Sequence, residues 1–146
     1  MSAEQTKNGQ PELVIESRTI AMDRPTYVIA ELSANHNQSF DDAAKLVRIA
    51  KDVGADAVKL QTYTPDTITI DADGPMFRPG KGSLWEGQSL YQLYSEAYTP
   101  WPWHPKLKAI ADEIGIHMFS SAFDPTAVEW ERESRETLGQ PLPPAP

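Results

Sequence analysis

The chain has 146 residues, enough for one domain, and its 13 basic and 21 acidic side chains give a net charge of −8. This acidic balance argues against a general nucleic-acid binder, which would carry a basic face, but it allows a local anion site made by a few lysines. Cysteine is absent, which excludes disulfides and thiolate metal sites. With no apolar signal core and no run approaching the ~20 apolar residues of a membrane span, we expect a soluble cytoplasmic protein.

The N-terminal region is predicted to contain a short hairpin. Residues 1–12 are polar and are expected to be disordered. Residues 13–20 (LVIESRTI) and 27–29 favour short strands, and the turn AMDRP between them predicts that the two strands pair.

A strand, a helix and a second strand follow. Residues 28–32 (VIAEL) are typical of a buried strand. Ser39 is suited to cap a helix that begins at Phe40 and stops at Gly54, with apolar residues at helical spacing between them. Residues 57–62 (AVKLQT) form the next strand, so this order predicts a parallel βαβ unit.

The same pattern occurs again after an insertion. A second helix is predicted to open at Trp103, with Pro105 suited to its first position, and to end at Gly115 before a third strand over residues 117–123. The helix-ending phrases AKDVG and ADEIG match, which indicates an internal repeat interrupted by residues 63–98. The insertion contains one helical stretch, SLYQLYSEAY.

The number of strands indicates an incomplete architecture. Parallel sheets are normally covered on both faces, and a closed barrel of this repeat needs eight strands and ~250 residues. We therefore expect an α/β fold that is the N-terminal portion of a (β/α)8 barrel, with about three βα units over residues 13–130. Four of the last six residues are proline, so residues 131–146 are expected to form a tail rather than a buried strand.

Polar residues follow or end each predicted strand of the repeat. The carboxyl ends of parallel strands form the ligand end of an α/β sheet, so these side chains are expected to converge on one rim. Lysine within a strand is unusual unless it meets an anion or a carboxylate. The rim candidates are Glu31, Ser33, Asn35 and His36 from the first strand, Lys59, Gln61 and Tyr63 from the second, and Ser120, Ser121 and Asp124 from the third.

Each candidate also has a purely structural interpretation. Glu31 and Lys59 on adjacent strands could form a buried ion pair, an interpretation about as well supported by spacing as a ligand role. His36 taken alone is better explained as a loop histidine that caps backbone groups. The other polar and aromatic residues favour structural roles: Ser120 and Ser121 as small residues facing a barrel, His104 as a helix-start residue, His117 as an outward-facing residue, and Trp101 and Trp103 as packing residues.

Four phrases of the sequence resemble the sialic acid synthase family, and within it the pseudaminic acid branch. They are YVIAELSANHNQ, GADAVKLQTYTPDT, LWEGQSLYQLYSEAYTPWPWH and MFSSAFDPTAV, and they cover about residues 13–130. ANHNQ and EAYTPW look more like the pseudaminic than the neuraminate branch, while the neuraminate and legionaminate branches are kept as alternatives.

The resemblance implies a (β/α)8 barrel enzyme followed by a small antifreeze-like domain. Such enzymes condense phosphoenolpyruvate with an N-acetylated amino sugar to give a nonulosonic acid and phosphate, with the help of a divalent metal, manganese or magnesium. By position, Lys59 and Ser121 resemble the residues that bind phosphoenolpyruvate. Glu31, the expected catalytic residue, and Gln61 match residues that contact the sugar and the reacting centre. Asn35 and His36 belong to the substrate-binding rim phrase with less definite roles.

The sequence also departs from the family pattern. Ala122 replaces a proline, and the later strands that carry a second phosphoenolpyruvate lysine and the metal-binding histidines have no counterpart, so no metal ligand is expected in this chain. Residues 131–146 resemble an out-of-frame translation, which predicts a truncated chain that is inactive alone. The alternatives are a non-catalytic chain that pairs through its open third strand with itself or with a partner, and, less well supported, a Schiff-base aldolase using Lys59.

Overall fold

Two three-stranded sheets and a set of short helices make up the described part of the chain. The computed structural model describes residues 3–5, 11–15 and 18–137. The strands are β1 (Ala3–Gln5), β2 (Pro11–Ile15), β3 (Arg18–Ile20), β4 (Ile29–Glu31), β5 (Ala57–Thr62) and β6 (His117–Ala122). The helices are α1 (Phe40–Asp52), α2 (Pro65–Ile68), α3 (Leu90–Ala97), α4 (Trp103–Ile114) and α5 (Pro125–Thr137), with a 3-10 turn at Pro75–Phe77.

The N-terminal sheet differs from the predicted hairpin. Strands β1, β2 and β3 pair antiparallel in that order, with Leu13 opposite Ile20. The segment predicted as one strand over 13–20 is therefore two strands that pair with each other, because adjacent segments close the shortest loop at the lowest entropy cost. Ala3–Gln5, expected to be disordered, forms β1, and the rest of residues 1–10 lies outside the described residues.

The second sheet is parallel, as the βαβ pattern predicted. Its order is β4-β5-β6, with Glu31 beside Lys59 and Gln61 beside Ser121 in register. Helix α1 connects β4 to β5, while the insertion and α4 connect β5 to β6. The predicted α/β portion of a barrel, with three βα units, is thus present as β4–α1, β5–α4 and β6–α5.

The helix boundaries follow local backbone chemistry. The Ser39 hydroxyl accepts a hydrogen bond from the Asp42 N–H at 3.2 Å and caps α1, as predicted. Gly54 after α1 and Gly115 after α4 have φ of +92° and +69°, the left-handed region in which glycine ends helices at low cost. Helix α4 begins at Trp103, as expected, but Pro105 is its third residue rather than its first.

The hydrophobic core lies on one face of the parallel sheet. Val58 and Leu60 of β5 form one buried cluster with Val47 of α1 and Leu107 of α4. Full burial of each such side chain contributes about 1.5–3 kcal/mol, so this cluster fixes the two helices on the sheet. Because side chains alternate along a strand, Lys59 points to the opposite face, which α1 and α4 leave uncovered.

Helix α5 crosses the boundary that the sequence predicted at residue 130. Residues 131–137 (ERESRET) contain neither proline nor glycine and continue the helix to Thr137. Glu131 accepts a hydrogen bond from the Thr62 hydroxyl at 2.6 Å, and Trp130 packs on Trp101 with ring centroids 5.3 Å apart. These residues therefore belong to the fold rather than to a tail, while residues 138–146 lie outside the described residues.

The insertion between β5 and α4 is mostly loop with short helices. Its predicted helical stretch is confirmed as α3, which begins with a capping box in which Ser89 and Gln92 satisfy each other's backbone N–H groups. In the ranges that the structure describes, no helix is long and apolar enough to cross a membrane.

Candidate functional site

An ion pair stands on the uncovered face of the parallel sheet. Glu31 ends β4, Lys59 lies beside it on β5, and the Lys59 ammonium contacts the Glu31 carboxylate. The side chains are 37% and 33% exposed, so water reaches both charges. A pair this exposed contributes roughly 0–1 kcal/mol to stability, which disfavours the buried ion-pair interpretation and leaves both groups accessible to a ligand.

An amide and a hydroxyl lie one step further along the same face. Gln61 follows Lys59 at a spacing of two residues on β5, and Ser121 is its neighbour in register on β6. Both residues are partly buried. The structure thus brings together four of the predicted site residues: a cation, a carboxylate, an amide and a hydroxyl, which suit a small anionic molecule and a polar partner.

The loop after β4 places His36 away from this face. His36 is 3% exposed, and its ring packs edge-on against Trp103 with centroids 5.3 Å apart. Its Nδ1 accepts a hydrogen bond from the Gln38 N–H at 3.1 Å, so Nε2 carries the proton and donates to the Thr99 hydroxyl at 3.1 Å. Burial lowers the pKa of His36 and keeps the ring neutral.

Asn35, in the same loop, has the opposite exposure. Its side chain is exposed and its Nδ2 donates to the Leu32 carbonyl at 3.0 Å, a local bond that fixes the amide beside the end of β4. The Asn35 side chain is therefore open to solvent, while that of His36 is not.

Two further rim candidates have structural roles. Burial, and then the neighbouring Tyr94, raise the pKa of Tyr63 to about 12, and its ring packs edge-on against Tyr94 and Phe123. Asp124 caps α5 by accepting hydrogen bonds from the Thr126 hydroxyl and from backbone N–H groups. The Thr126 hydroxyl is the main cause of the lowered pKa of Asp124.

Ser120 lies on the opposite face from Lys59, and Ser33 lies in the loop after β4. The Ser120 hydroxyl bonds to the Thr62 hydroxyl at 2.7 Å, on the face covered by helices. Ser33 adopts φ of +46° in the loop after β4. The sequence could not separate these from Ser121 because adjacent residues of a strand face opposite sides, and only the register with β5 decides which serine shares the face of Lys59.

The other two histidines are placed by packing. His104 is buried against the edge of Trp130 with centroids 5.4 Å apart, and burial lowers its pKa to about 4. The His117 ring stacks on Tyr27 and its Nδ1 bonds to the Tyr27 hydroxyl, at the start of β6 and far along the strand from Ser121. His117, predicted to face outward at the start of its strand, is half-buried there against Tyr27.

Residues that the sequence did not single out hold the loop after β4 in place. The Gln38 amide donates to the carbonyls of Glu96 and Tyr98, at 2.9 and 2.6 Å, and the Thr99 hydroxyl accepts a hydrogen bond from His36 Nε2. These partners lie about 60 residues apart along the chain, so no local spacing pattern could have linked them.

The described residues do not form a metal site. Within residues 3–5, 11–15 and 18–137, no group of three or more His, Cys, Asp or Glu side chains is placed to hold a metal ion.

Comparison with solved structures identifies the fold. The N-acetylneuraminic acid (sialic acid) synthetase from Leptospira borgpetersenii serovar Hardjo-bovis superposes with a TM-score of 0.67 at 21% identity, over 86% of this chain and 39% of that chain. A Bacillus subtilis spore coat polysaccharide biosynthesis protein superposes with a TM-score of 0.58 at 23% identity, over 88% of this chain and 31% of that chain. At these identities the likeness shows the fold alone, the partial (β/α)8 barrel that the sequence predicted.

Sequence comparison identifies the family. The NeuB family model matches residues 46–136. The pseudaminic acid synthase of Campylobacter jejuni subsp. jejuni serotype O:2 is 46% identical over 108 residues, which cover 74% of this chain and 31% of that protein. The pseudaminic acid synthase of Helicobacter pylori is 43% identical over 106 residues, covering 73% and 31%. The N,N'-diacetyllegionaminic acid synthase of Legionella pneumophila is 31% identical, covering 71% and 29%.

The chain thus spans about a third of the length of these relatives. The range matched by the family model includes β5 and β6, which carry Lys59, Gln61 and Ser121. The chain belongs to the NeuB family.

Proposed function

We propose that this chain is the N-terminal barrel segment of a pseudaminic acid synthase. In that reaction phosphoenolpyruvate condenses with a 2,4-diacetamido-trideoxy hexose to give pseudaminic acid and inorganic phosphate. The identity of 43–46% to two pseudaminic acid synthases, against 31% to the legionaminic acid synthase, supports this substrate over the alternatives.

The observation that carries the proposal is the exposed ion pair on the uncovered face. Lys59 supplies a cation for the carboxylate or phosphate of phosphoenolpyruvate, and Ser121 supplies a hydroxyl donor to the same anion. Glu31 accepts hydrogen bonds from the acceptor sugar at the reacting centre, and Gln61 lies between the two substrates. Asn35, exposed beside the end of β4, faces the sugar side.

No step of this proposal uses a metal. The resemblance implies manganese or magnesium, but the part of the chain that the structure describes does not form a group of metal ligands. We assign to the residues of this chain the binding and orientation of the two substrates.

The contact between Lys59 and Glu31 also argues against the Schiff-base alternative. An ammonium paired with a carboxylate lacks the free electron pair that attacks a carbonyl, so the ion pair disfavours an aldolase mechanism. A non-catalytic role is favoured by one observation: among the described strands, β6 pairs on one side only, which leaves an edge for another strand.

A chimeric enzyme tests the proposed function. The segment of this chain that matches the Campylobacter enzyme replaces the corresponding segment of that enzyme, and phosphate release from phosphoenolpyruvate is measured with the pseudaminic, legionaminic and neuraminic precursors. We expect activity with the pseudaminic precursor. Lys59→Met should lower kcat/KM by about 100-fold or more, since it removes a charge placed against the anion.

The matched control is Lys45→Met, at an exposed position of α1 on the covered side of the sheet. We expect this variant to keep kcat/KM within about twofold of the chimera, as surface substitutions usually do. Equal activity of the two variants would contradict the role of Lys59. Higher activity with the legionaminic or neuraminic precursor would contradict the proposed substrate and support that branch of the family instead.

A further inference from the structure

We infer that His36 and Gln38 are positioning residues that hold the loop after β4 (residues 32–39, here the β4–α1 loop) on the end of α3, and that this attachment sets the sugar side of the site. The inference rests on the proposed function and assigns His36 a role that replaces substrate binding. Its basis is a set of hydrogen bonds that join two parts of the chain about 60 residues apart.

The Gln38 side chain closes the carboxyl end of α3. Tyr98 is the C-cap residue of that helix, and the carbonyls of a last helical turn have no partners within the helix. The Gln38 amide donates one hydrogen to the Glu96 carbonyl at 2.9 Å and the other to the Tyr98 carbonyl at 2.6 Å. Both donors of this amide are therefore used, and a side chain from the β4–α1 loop completes a helix of the insertion.

His36 makes the second attachment. Its Nε2–H donates a hydrogen bond to the hydroxyl of Thr99, which is itself buried. Its Nδ1 accepts a hydrogen bond from the backbone N–H of Gln38. Because both ring nitrogens are engaged inside the protein, no polar atom of His36 remains for a substrate. The ring instead fixes the position of Gln38 relative to residues 98–99.

The loop conformation needs this support. Ser33, Asn37 and Gln38 have φ of +46°, +49° and +55°, a region that side chains other than glycine occupy at a cost. Such residues keep this conformation only where surrounding contacts hold them. The contacts of His36 and Gln38 lie in the second half of the loop, next to the exposed Asn35, and Glu31 directly precedes the first loop residue.

The attachment predicts which substrate is affected when it is lost. Lys59 and Ser121 belong to the strands β5 and β6, which pair directly with each other from Ala57–His117 to Thr62–Ala122. Glu31 directly precedes the loop, and Asn35 lies within it. Release of the loop should therefore weaken the sugar side of the site and spare the phosphoenolpyruvate side.

The first test uses the whole 146-residue chain and needs no activity. In chain labelled with ¹⁵N at histidine, the ring of His36 should show the neutral form with its proton on Nε2. Thr99→Val removes the acceptor and should shift the His36 ring nitrogens and the backbone amides of residues 32–38. Thr26→Val, at an exposed position before β4, should leave them in place. A His36 proton on Nδ1, or equal shifts in the two variants, would overturn the inference.

The second test uses the chimeric enzyme. Gln38→Glu keeps the size of the side chain but replaces its donors by a carboxylate facing two carbonyls. We expect it to raise the KM for the sugar by about tenfold and to leave the KM for phosphoenolpyruvate within about twofold. Asn37→Asp, the same chemical change at the exposed neighbouring residue, should alter neither. Equal changes in both KM values would indicate general disruption and contradict the positioning role.

A pair of substitutions separates hydrogen bonding from packing at His36. His36→Gln can still donate to Thr99, whereas His36→Phe keeps the edge contact with Trp103 and loses both hydrogen bonds. If His36 has the positioning role, the KM of the glutamine variant for the sugar should be lower than that of the phenylalanine variant. A phenylalanine variant that matches the unsubstituted chimera would overturn it. If the unsubstituted chimera is itself inactive, the proposed function fails while the measurements on the 146-residue chain still decide the attachment.

Discussion

His36 and His104 are both buried, and burial lowers the pKa of each, but they differ in their hydrogen bonds. Both nitrogens of His36 have partners, while Nε2 of His104 has no hydrogen-bond partner among the residues that the structure describes. A buried polar atom without a partner costs free energy, so His104 gains its place through the aromatic packing with Trp130 rather than through polar contacts. This makes His104 an acid-sensitive point of the core.

The first prediction concerns the pH dependence of stability. The pKa of His104 is about 4 in the folded chain against 6.5 for an unperturbed histidine, so as pH falls the unfolded chain takes up this proton first. The contribution of neutral His104 to the free energy of unfolding is fully present above about pH 6.5. It is lost as the pH falls towards 4, and the loss amounts to about 3 kcal/mol. Urea unfolding at pH 7 and pH 4.5 measures this loss. His104→Phe, which keeps the ring contact, should show a smaller difference between the two pH values.

An unchanged pH dependence in His104→Phe would show that the acid sensitivity arises elsewhere. Burial also lowers the pKa of His36, so His36 contributes to the loss of stability at low pH in the same direction. His36→Phe measured under the same conditions gives the size of that contribution.

The Glu31–Lys59 pair gives a second prediction at this scale. Because each side chain is about a third exposed, Glu31→Gln and Lys59→Met should each change the free energy of unfolding by less than about 1 kcal/mol. The same variants in the chimera should lose most of their activity. A stability loss of about 3–5 kcal/mol would instead support a structural ion pair, whose broken half leaves an uncompensated charge.

Among the elements, α5 is held to the sheet by a short chain of hydrogen bonds. The Thr62 hydroxyl, fully buried on β5, donates to Glu131 at 2.6 Å and so accepts its other bond from the Ser120 hydroxyl at 2.7 Å. The three groups join β5, β6 and α5 on the face opposite Gln61 and Ser121. Removing the charge of Glu131 should therefore loosen α5.

The third prediction follows from this chain of bonds. Glu131→Gln replaces a charged acceptor by a neutral amide and should lower the free energy of unfolding by about 1–3 kcal/mol. Glu129→Gln, at an exposed position of the same helix, is the matched control and should change it by less than about 0.5 kcal/mol. Amide hydrogen exchange in α5 should rise only in the first variant. Equal exchange in both would show that α5 does not depend on Glu131.

The elements of the fold also differ in how far they could be predicted from the sequence. Helices α1 and α4 were predictable because Ser39, Gly54 and Gly115 mark their ends and their apolar residues repeat at helical spacing. The division of residues 13–20 into β2 and β3 was not, because no glycine or proline interrupts that segment. The length of α5 was not, because it depends on distant contacts such as that between Glu131 and Thr62. In the candidate site, the shared face of Lys59 and Gln61 was predictable because side chains two residues apart on a strand face the same side. The burial of His36 was not predictable, because its partner Thr99 lies far away along the chain.

At the scale of the whole molecule, the parallel sheet determines how the chain meets other chains. Among the described strands, β4 and β6 each pair on one side, and the face that carries Phe119 and Ile29 is not covered by α1 or α4. Unpaired strand edges and exposed apolar groups favour association with another strand. The net charge of −8 opposes close approach of copies, and its effect weakens as salt increases.

The last prediction is therefore that the chain associates with itself, and does so more strongly at higher salt. Sedimentation velocity over a range of concentrations should show oligomers whose fraction rises with protein and with sodium chloride. Phe119→Glu adds a charge to the uncovered face beside Lys59 and should shift the population to monomer. Met76→Glu adds the same charge in an exposed loop of the insertion and should not. A single monomeric species at all concentrations would contradict association through the sheet, and an equal effect of both substitutions would assign it to net charge alone.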